Sequence, residues 1–461
     1  MTNWIPRITL HSLAIMLALL TYVLSTRLER ERRPPSVAIS WVFAMIALPY
    51  LALPLYVLFG RRKLFRKVTP CLAGPSSATH WAESLIESFG LPPPAPARVR
   101  LHADGAEAAG ALFELIAGAE RRLDLCTYML GDDVFGEDVT ARMIACVARG
   151  VRVRFLIDGV GAIFLPSNWF KRMHDAGAET AVFSPLLARR TQGPRNLRNH
   201  RKWVIADGER LWTGGRNLAA EYFCGTPGSP PWRDLSFDLD GPVAASAANQ
   251  FEVDWVAAGG KPSARAAVAA AEDLGSRAQF LPSGPDQTED TVRALLIDAC
   301  FHATERMLAV SPYFVPDASL ETAIRLAARR GVKVHLCIPA KSNHRLADFV
   351  RNRSLRALAA AGVSIHLLRN MNHAKAVVFD RGLAISGSPN LDSRSLLLNY
   401  ESAVVFYGKR EIEWLASWIT DLMPAADPYD ARPPGLWRDL AEGLVLTCTG
   451  HAVSDDVVIE V

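Results

Sequence analysis

The sequence carries one unusual pattern twice, and this duplication limits the folds open to the chain. Residues 199–217 (NHRKWVIADGERLWTGGRN) and 372–390 (NHAKAVVFDRGLAISGSPN) share His-x-Lys-x4-Asp-x6-Gly-(Gly/Ser)-x-Asn at identical spacing. One His-x-Lys-x4-Asp match would arise by chance in roughly a few per cent of chains this long, but a second copy in register excludes chance. The two histidines, His200 and His373, are 173 residues apart. We therefore expect two similar domains, each of ordinary size.

The segments before the two motifs follow the same order of predicted elements. A helix and a buried strand are predicted twice in each half, over 107–130 and 141–158 in the first and over 291–315 and 320–339 in the second. This alternation predicts an α/β fold, with two similar domains whose mixed, largely buried sheets are flanked by helices and packed as a pseudo-two-fold pair. The predicted divisions are a membrane segment (1–67), a linker (68–98), the first domain (99–260), the second domain (285–425) and a C-terminal tail (426–461).

Two apolar runs near the N-terminus predict a transmembrane helical hairpin. Residues 37–59 hold no charged side chain, which is enough length to cross roughly 30 Å of hydrocarbon, and residues 8–24 form a shorter run. A signal peptide is the alternative for the shorter run and a buried core helix for the longer one. Six basic residues on the outer flanks against four in the loop favour a multi-pass protein with a cytoplasmic main body. Seven cysteines without a Cys-x-x-Cys pattern agree with a reducing compartment.

Each motif copy predicts a hairpin that presents polar side chains along one edge. His200 and Lys202 are two positions apart, so on an extended strand both side chains face the same side. An apolar strand then leads to the turn at Asp207, and a second strand leads to a glycine pair where a ligand can approach the backbone closely. The first copy ends on the carboxamide of Asn217, and the second copy supplies the matching groups from His373, Lys375, Asp380, Ser388 and Asn390.

These groups suit a phosphodiester substrate. Ammonium and amide groups can hold non-bridging phosphoryl oxygens without a metal, and we assign this role to Lys202, Asn217, Lys375, Asn390 and Ser388. Substitution at phosphorus needs a nucleophile and an acid, and one histidine cannot be both at once. We therefore expect one active site built from both halves, with His200 and His373 as its reacting groups and with no metal or other cofactor.

Two further carboxylates are expected to orient the histidines. A catalytic imidazole needs its second ring nitrogen held, and Asp234 and Glu401 follow their motifs at matching places. The alternative is that both acids merely begin surface strands. Asp207 and Asp380 belong to the catalytic motif, but their place in turns indicates a structural role through side-chain bonds to backbone.

The sequence resembles the phospholipase D superfamily, whose members carry paired HxKxxxxD motifs, and within it the bacterial cardiolipin synthases. Three stretches carry this resemblance over nearly the whole chain: LYVLFGRRK after the second apolar run, RNHRKWVIADGERLWTGGRNLA with WRD downstream, and NHAKAVVFD with SGSPNLDSRSLLLNYE. The segment before His373 is shorter than the family's usual loop, and the tail from Ala425 extends past the family's usual end.

The resemblance implies a two-step phosphatidyl transfer. His200 would attack the phosphorus of phosphatidylglycerol while His373 protonates the departing glycerol, and a second phosphatidylglycerol would resolve the phosphatidyl-histidine to cardiolipin. The residues alone leave either histidine as the nucleophile. They also leave open a phospholipase D-type hydrolase, a transphosphatidylase with another acceptor alcohol, and a non-catalytic lipid-binding scaffold. The expected partners are the phospholipid and the membrane bilayer, the net charge of +4 argues against nucleic acid, and no protein partner is indicated.

Overall fold

The computed structural model describes residues 10–28, 35–59, 80–185, 196–264, 266, 274–432, 435, 438 and 442. The first part of the predicted linker, the basic flanks used to orient the hairpin and most of the predicted tail lie outside these residues. The described chain divides into three N-terminal helices and a large α/β body whose two halves repeat one another.

The N-terminal apolar runs form three helices instead of a spanning pair. Helix α1 (Leu10–Leu28) covers the first run, and the second run is divided between α2 (Pro35–Ala47) and α3 (Pro49–Phe59). The division falls at Leu48 because the residue before a proline is disfavoured in helical conformation. The transmembrane hairpin, and with it a multi-pass chain, is therefore not supported. Among the described residues, none of the helices has the combined length and apolar character that crossing a membrane requires.

The three N-terminal helices pack on one another. The rings of Tyr22 and Tyr56 lie 5.3 Å apart, and the Tyr56 hydroxyl shares a hydrogen bond with Ser25. Ala18 and Met45 are fully buried in the same cluster. The helices nevertheless leave large apolar side chains exposed, including Leu10 and Phe43.

The body contains two similar sets of elements. The first half has α4 (Trp81–Ser88), β1 (Ala95–His102), α5 (Gly105–Ala117), β2 (Arg122–Thr127), α6 (Val134–Ala148), β3 (Arg152–Asp158), α7 (Trp169–Asp175), β4 (Glu179–Phe183), β5 (Trp203–Ala206), β6 (Arg210–Gly214), β7 (Ser236–Asp240) and α8 (Pro242–Ala257). The second half has β8 (Ser276–Ser283), α9 (Thr291–His302), β9 (Arg306–Val310), β10 (Phe314–Val315), α10 (Ala318–Arg329), β11 (Lys333–Pro339), α11 (Arg345–Ala359), β12 (Ser364–Leu368), β13 (Ala376–Phe379), β14 (Leu383–Gly387), β15 (Leu391–Asp392), α12 (Ser393–Leu397), β16 (Glu401–Phe406), α13 (Lys409–Thr420) and β17 (Asp427–Pro428). Short 3-10 turns lie at Gly161–Phe164, Ala220–Tyr222 and Met423–Ala425.

The two halves share one mixed sheet. Its order is β17-β12-β11-β9-β13-β14-β16-β8-β1-β7-β6-β5-β2-β3-β4, and β10 pairs separately with β15. Strands β2, β3 and β4 run parallel at one side of this sheet, as do β9, β11 and β12 at the other, whereas the motif hairpins pair antiparallel. The halves join edge to edge where β1 pairs antiparallel with β8, from Ala95↔Ala278 to Ala97↔Ser276. The predicted α/β fold with two repeated domains and a mixed sheet is thus confirmed.

Local sequence explains where the helices begin. Asp104 caps α5 by accepting hydrogen bonds from the backbone N–H groups of Ala106 (2.8 Å) and Glu107 (2.9 Å), and Asp133 caps α6 in the same way. Strands β3 and β11 are buried along almost their whole length, as expected for a sheet covered by helices on both faces, although β3 also buries the charged Arg154 and Asp158. One apolar core continues across the junction of the halves, for example from Trp203 to Phe280, whose rings lie 5.7 Å apart.

Candidate active site

The two histidines lie just before the motif hairpins and not within their strands. His200 and Lys202 precede β5, and His373 and Lys375 precede β13. The backbone N–H of His200 donates to the carbonyl of Tyr400 (2.9 Å), and that of His373 donates to the carbonyl of Arg233 (2.6 Å). Each histidine is therefore fixed by the backbone of the opposite half, in a symmetric arrangement.

The predicted orienting carboxylates cross between the halves. Both carboxylate oxygens of Glu401 lie 3.0 Å from Nδ1 of His200, and Asp234 Oδ2 lies 2.8 Å from Nδ1 of His373. All four side chains are at most 2 % exposed. Since each carboxylate contacts the imidazole of the other half, neither half contains a complete histidine–carboxylate pair by itself.

Both carboxylates remain ionised in spite of complete burial. Burial raises the pKa of Glu401, but the positive charge and hydrogen bond of His200, together with Lys202, outweigh it and leave the pKa below its usual value. Burial likewise raises the pKa of Asp234, but the charge and hydrogen bond of His373, together with Lys375, outweigh it and leave the pKa lowered. A buried negative charge therefore lies behind each imidazole and would stabilise positive charge that develops on the ring.

The motif lysines lie beside their own histidines. Lys202 Nζ donates to the carbonyl of His200 (2.9 Å), and Lys375 Nζ donates to the carbonyl of His373 (2.5 Å). Lys375 Nζ is also 2.9 Å from His373 Nε2. Both lysines are nearly inaccessible to solvent, so each ammonium is held next to an imidazole in an environment that strengthens its attraction for an anion.

The motif asparagines present buried polar atoms. Within the described part of the chain, neither side-chain polar atom of Asn390 has a hydrogen-bond partner, and Asn217 Oδ1 has none either. Asn217 Nδ2 donates to the Tyr222 hydroxyl (2.8 Å). Buried polar groups in native proteins are normally satisfied, so these amides indicate a place where a polar ligand binds.

Ser388 is directed to a carboxylate and not to an open site. Its hydroxyl donates to Glu401, and its backbone N–H donates to the carbonyl of Ser402 (2.9 Å). At the matching position Gly215 has no side chain, and a Cβ there would overlap Asp234. The phosphate-binding role predicted for Ser388 therefore has no geometric support. Its contact is with the acid that holds His200.

The two motif aspartates lie at the far ends of the hairpins. Asp207 accepts from the backbone N–H groups of Glu120, Arg121 and Arg122 at 2.8–3.1 Å, and Asp380 accepts from those of Thr304, Glu305 and Arg306 at 2.8–2.9 Å. Both residues have positive φ, 58° and 50°. Burial raises their pKa values, but the backbone donors lower them further, so both carboxylates stay charged. Each aspartate bonds its hairpin to the start of a neighbouring strand, which is β2 for Asp207 and β9 for Asp380.

Several side chains beside the histidines were not assigned a role from the sequence. The Tyr128 ring lies 5.4 Å from that of His200, and the rings of Tyr222 and Trp232 lie 5.0 and 5.9 Å from that of His373. Arg201, fully buried, contacts Asp254 (2.5 Å), Asp286 (3.0 Å) and the carbonyl of Glu401 (3.0 Å). Position within the repeat could have indicated Tyr128, because it directly follows strand β2.

No metal centre accompanies this arrangement in the described residues, where no three histidine, cysteine or acidic side chains are grouped to hold an ion. The site can therefore be described by its imidazoles, ammonium groups and carboxylates. Fold and site together define a duplicated α/β protein whose halves share two crossed histidine–carboxylate pairs, and the paired HxKxxxxD motifs that supply its histidines are those of phospholipase D-like proteins.

The comparisons with known proteins identify the family. The chain matches the family described as "Cardiolipin synthase, PLD-like domain" over residues 112–255 and 296–423. It is 32% identical to cardiolipin synthase A of Pseudomonas aeruginosa (strain LESB58) over 395 residues, 80% of each chain, and 32% identical to that of Pseudomonas putida (strain W619) over 391 residues, 79% of this chain and 81% of the other. The chain belongs to the cardiolipin synthase family of phospholipase D-like proteins, as the sequence motifs indicated.

Solved structures support the fold. The crystal structure of a phosphatidylserine synthase from Haemophilus influenzae Rd KW20 superposes with a TM-score of 0.61 at 14% identity, covering 80% of this chain and 97% of the other. A polyphosphate kinase from Porphyromonas gingivalis gives a TM-score of 0.50 at 12% identity, covering 84% of this chain and 57% of the other. At these identities the likeness concerns the fold alone.

Proposed function

We propose that this protein is a phosphatidyltransferase that converts two molecules of phosphatidylglycerol into cardiolipin and glycerol through a phosphatidyl-histidine intermediate. Membership of the cardiolipin synthase family supports the reaction class. The observation that carries the proposal is the pair of crossed contacts, Glu401 with His200 and Asp234 with His373. Two imidazoles, each backed by a buried anion, are what a double displacement at phosphorus needs.

In the first step His200 Nε2 attacks phosphorus. Its Nδ1 is engaged by Glu401, so Nε2 is the nitrogen that faces the substrate and the carboxylate stabilises the positive charge that develops on the ring. As the P–N bond forms, the P–O bond to glycerol breaks. His373, protonated and held by Asp234, gives its Nε2 proton to the departing oxygen, and free glycerol leaves.

In the second step the roles reverse. His373, now neutral, accepts the proton from the headgroup hydroxyl of a second phosphatidylglycerol, and that oxygen attacks phosphorus. The P–N bond to His200 breaks, which returns the ring to its neutral form and releases cardiolipin. The assignment of His200 as nucleophile follows the family resemblance. The backing of Glu401 by Ser388 supports it, because the Ser388 hydrogen bond fixes the carboxylate behind that ring.

The phosphoryl oxygens would be held by the buried ammonium groups and amides. Lys375 Nζ lies 2.9 Å from His373 Nε2, so a cation is already next to the nitrogen that would transfer the proton. Asn390 contributes two buried polar atoms that lack partners among the described residues. These donors would neutralise the charge that builds up on the non-bridging oxygens in both transition states.

The proposed substrate is a lipid, and the protein would act at the surface of a bilayer. The apolar side chains that α1 to α3 leave exposed, such as Leu10 (77 %) and Phe43 (67 %), support contact of this segment with lipid. A bacterial inner membrane with the body on its cytoplasmic side remains the proposed location.

The test uses the purified full-length chain and vesicles of phosphatidylglycerol, with products separated by chromatography. Cardiolipin and glycerol in equal amounts support the proposal. Phosphatidic acid alone would mean that water resolves the intermediate, and the protein would then be a hydrolase. No turnover, with both His200→Ala and His373→Ala indistinguishable from wild type, would leave a non-catalytic lipid-binding protein.

A further inference from the structure

Two loops lie beside the active site at matching places in the repeat. Strands β3 and β11 run parallel to their neighbours. The C-terminal end of each lies on the side of the sheet where the histidines are held. The residues that follow them form the loops 161–164 and 341–346, which we call the mouth loops. Equivalent loops of a pseudo-two-fold repeat are placed to frame a common opening.

Each mouth loop contacts an aromatic residue that flanks a histidine. A Cβ on Gly161 would overlap the carbonyl of Tyr128, whose ring lies 5.4 Å from that of His200. In the second half the Tyr313 hydroxyl donates to Asn343 (2.5 Å), and the Tyr313 ring lies 6.4 Å from that of His373. The mouth loops are therefore one residue removed from the reacting groups.

The mouth loops expose apolar and basic side chains. Ile163 is 62 % exposed and Phe164 is 50 % exposed in the first loop, and Leu346 is 47 % exposed in the second. Lys341 and Arg345 are exposed beside Leu346. Nothing in the fold requires two large apolar side chains at the tip of a four-residue turn, and such exposure at a functional edge marks a binding surface.

A further exposed cation completes this edge. Arg233 is exposed, although its carbonyl accepts from the backbone of His373 and the next residue is Asp234. Of the acids that follow Tyr128 in the chain, Asp132 is exposed, and Glu137 is paired with Arg172 at 2.6 Å. The two mouth loops and Arg233 together present exposed apolar and basic side chains, which is the chemistry of insertion into an anionic lipid surface.

We propose that the mouth loops dock the active site onto a bilayer that contains anionic phospholipid, with Ile163, Phe164 and Leu346 entering the headgroup region and Lys341 and Arg345 contacting lipid phosphates. This inference rests on the proposed function in one respect, since it identifies where the lipid substrate enters. Docking by these loops would place the histidines next to the bilayer surface, so a phospholipid headgroup could reach them directly from the membrane.

The test measures amide hydrogen exchange of the full-length chain with and without vesicles. The N-terminal helices also expose apolar side chains, so the readout is protection of individual peptides and not total binding. Peptides covering 159–166 and 340–347 should be protected by phosphatidylglycerol vesicles and less by phosphatidylcholine vesicles. Phe301, 51 % exposed, lies near the end of α9 and before β9, at the end of the strands away from the histidines. The peptide around it is the internal control, and its hydrogen exchange should not change.

Variants add a functional readout. Ile163→Ser with Phe164→Ser should lower turnover of vesicle phosphatidylglycerol by about tenfold. Turnover of a short-chain phosphatidylglycerol below its micelle concentration should be unchanged. Phe301→Ser, matched in exposure, should change neither turnover. Lys341→Glu with Arg345→Glu should lower turnover of phosphatidylglycerol in anionic vesicles by about tenfold or more.

The outcomes separate this proposal from the reaction itself. Normal vesicle turnover in the Ile163/Phe164 variant, or no protection of the mouth loops by vesicles, overturns the docking proposal while the proposed reaction stands. Protection of the loops without turnover of any substrate supports docking and refutes the proposed reaction. Protection that rises with protein concentration and needs no vesicles would mean that a second copy covers the loops, and it also overturns the proposal.

Discussion

Replacing Glu401 by glutamine should reduce phosphatidyl transfer by about 10²–10⁴-fold while leaving the fold in place. The carboxylate oxygens lie 3.0 Å from His200 Nδ1, and the pair is buried. At an effective dielectric constant of about 20, opposite charges at that separation attract by about 5 kcal/mol, and each 1.36 kcal/mol or so is a factor of ten in rate. Glutamine keeps a hydrogen-bond acceptor but loses the charge, so the upper end of the range is the loss of the whole attraction.

The assay is kcat/KM for cardiolipin formation from phosphatidylglycerol, with the unfolding midpoint measured in parallel. Glu411→Gln is the matched control because Glu411 is also a buried glutamate, bonded to Ser276 at 2.7 Å and distant in the fold from both histidines. It should lose stability without losing activity. Activity of Glu401→Gln within threefold of wild type, or an equal loss in Glu411→Gln, would refute the role given to the crossed pair.

Asp207→Asn should lower the free energy of unfolding by about 1–3 kcal/mol and leave kcat unchanged, because its carboxylate accepts only backbone N–H groups. Its folded pKa is lowered, so this stability is present above the unfolded value of about 3.9 and is lost as the pH falls through the folded value; urea melts should show wild type and variant converging in acid. Arg201→Met should cost about 3–5 kcal/mol in the same melts by leaving two buried carboxylates uncompensated, and an effect below about 1 kcal/mol would contradict this. His373→Ala should still form labelled phosphatidyl-protein in rapid-quench experiments with radioactive phosphatidylglycerol whereas His200→Ala should not, and the reverse pattern would exchange the two roles.

Those parts of the fold that depend on local sequence could be predicted. Asp104 and Asp133 stand directly before helix-period segments, and buried strands such as β3 and β11 are short segments rich in Val, Ile, Leu and Phe. The repeat itself established that two such domains exist. These signals are contained in windows of ten to twenty residues, which is why they are legible without a structure.

The junction of the halves could not be predicted in the same way. The predicted boundary between linker and first domain, at residue 98, falls inside strand β1. This strand pairs with β8 and with β7, which are more than 130 residues away in the chain. The crossed contacts are similar, since Asp234 is 139 residues from His373 and Glu401 is 201 residues from His200. Matching positions in the repeat suggested that both acids orient histidines, but only the pairing of the sheets decides which acid meets which ring.

The N-terminal segment shows a different limit. Hydropathy over residues 37–59 is continuous and predicts one long helix, in which Pro49 and Pro54 are expected to introduce kinks. Backbone sterics at Leu48–Pro49 divide it, whereas Pro54 is accommodated within α3. A hydropathy average contains no information about such a break, and a buried hydroxyl pair such as Ser25 with Tyr56 is equally invisible to it.

The two halves repeat in geometry but differ in the chemistry around their histidines. Glu401 receives the Ser388 hydroxyl, and Arg201 donates to the Glu401 carbonyl, whereas the positions equivalent to Ser388 and Arg201 in the opposite motifs are Gly215 and Ala374. Glu401 therefore receives one side-chain contact on its carboxylate and one on its backbone carbonyl from residues whose equivalents in the other motif cannot supply them. A double displacement makes unequal demands on its two histidines, because one must stay aligned with phosphorus through both steps while the other changes protonation between them. If His200 is the nucleophile, as proposed, the additional support on its side would keep it aligned with phosphorus through both steps.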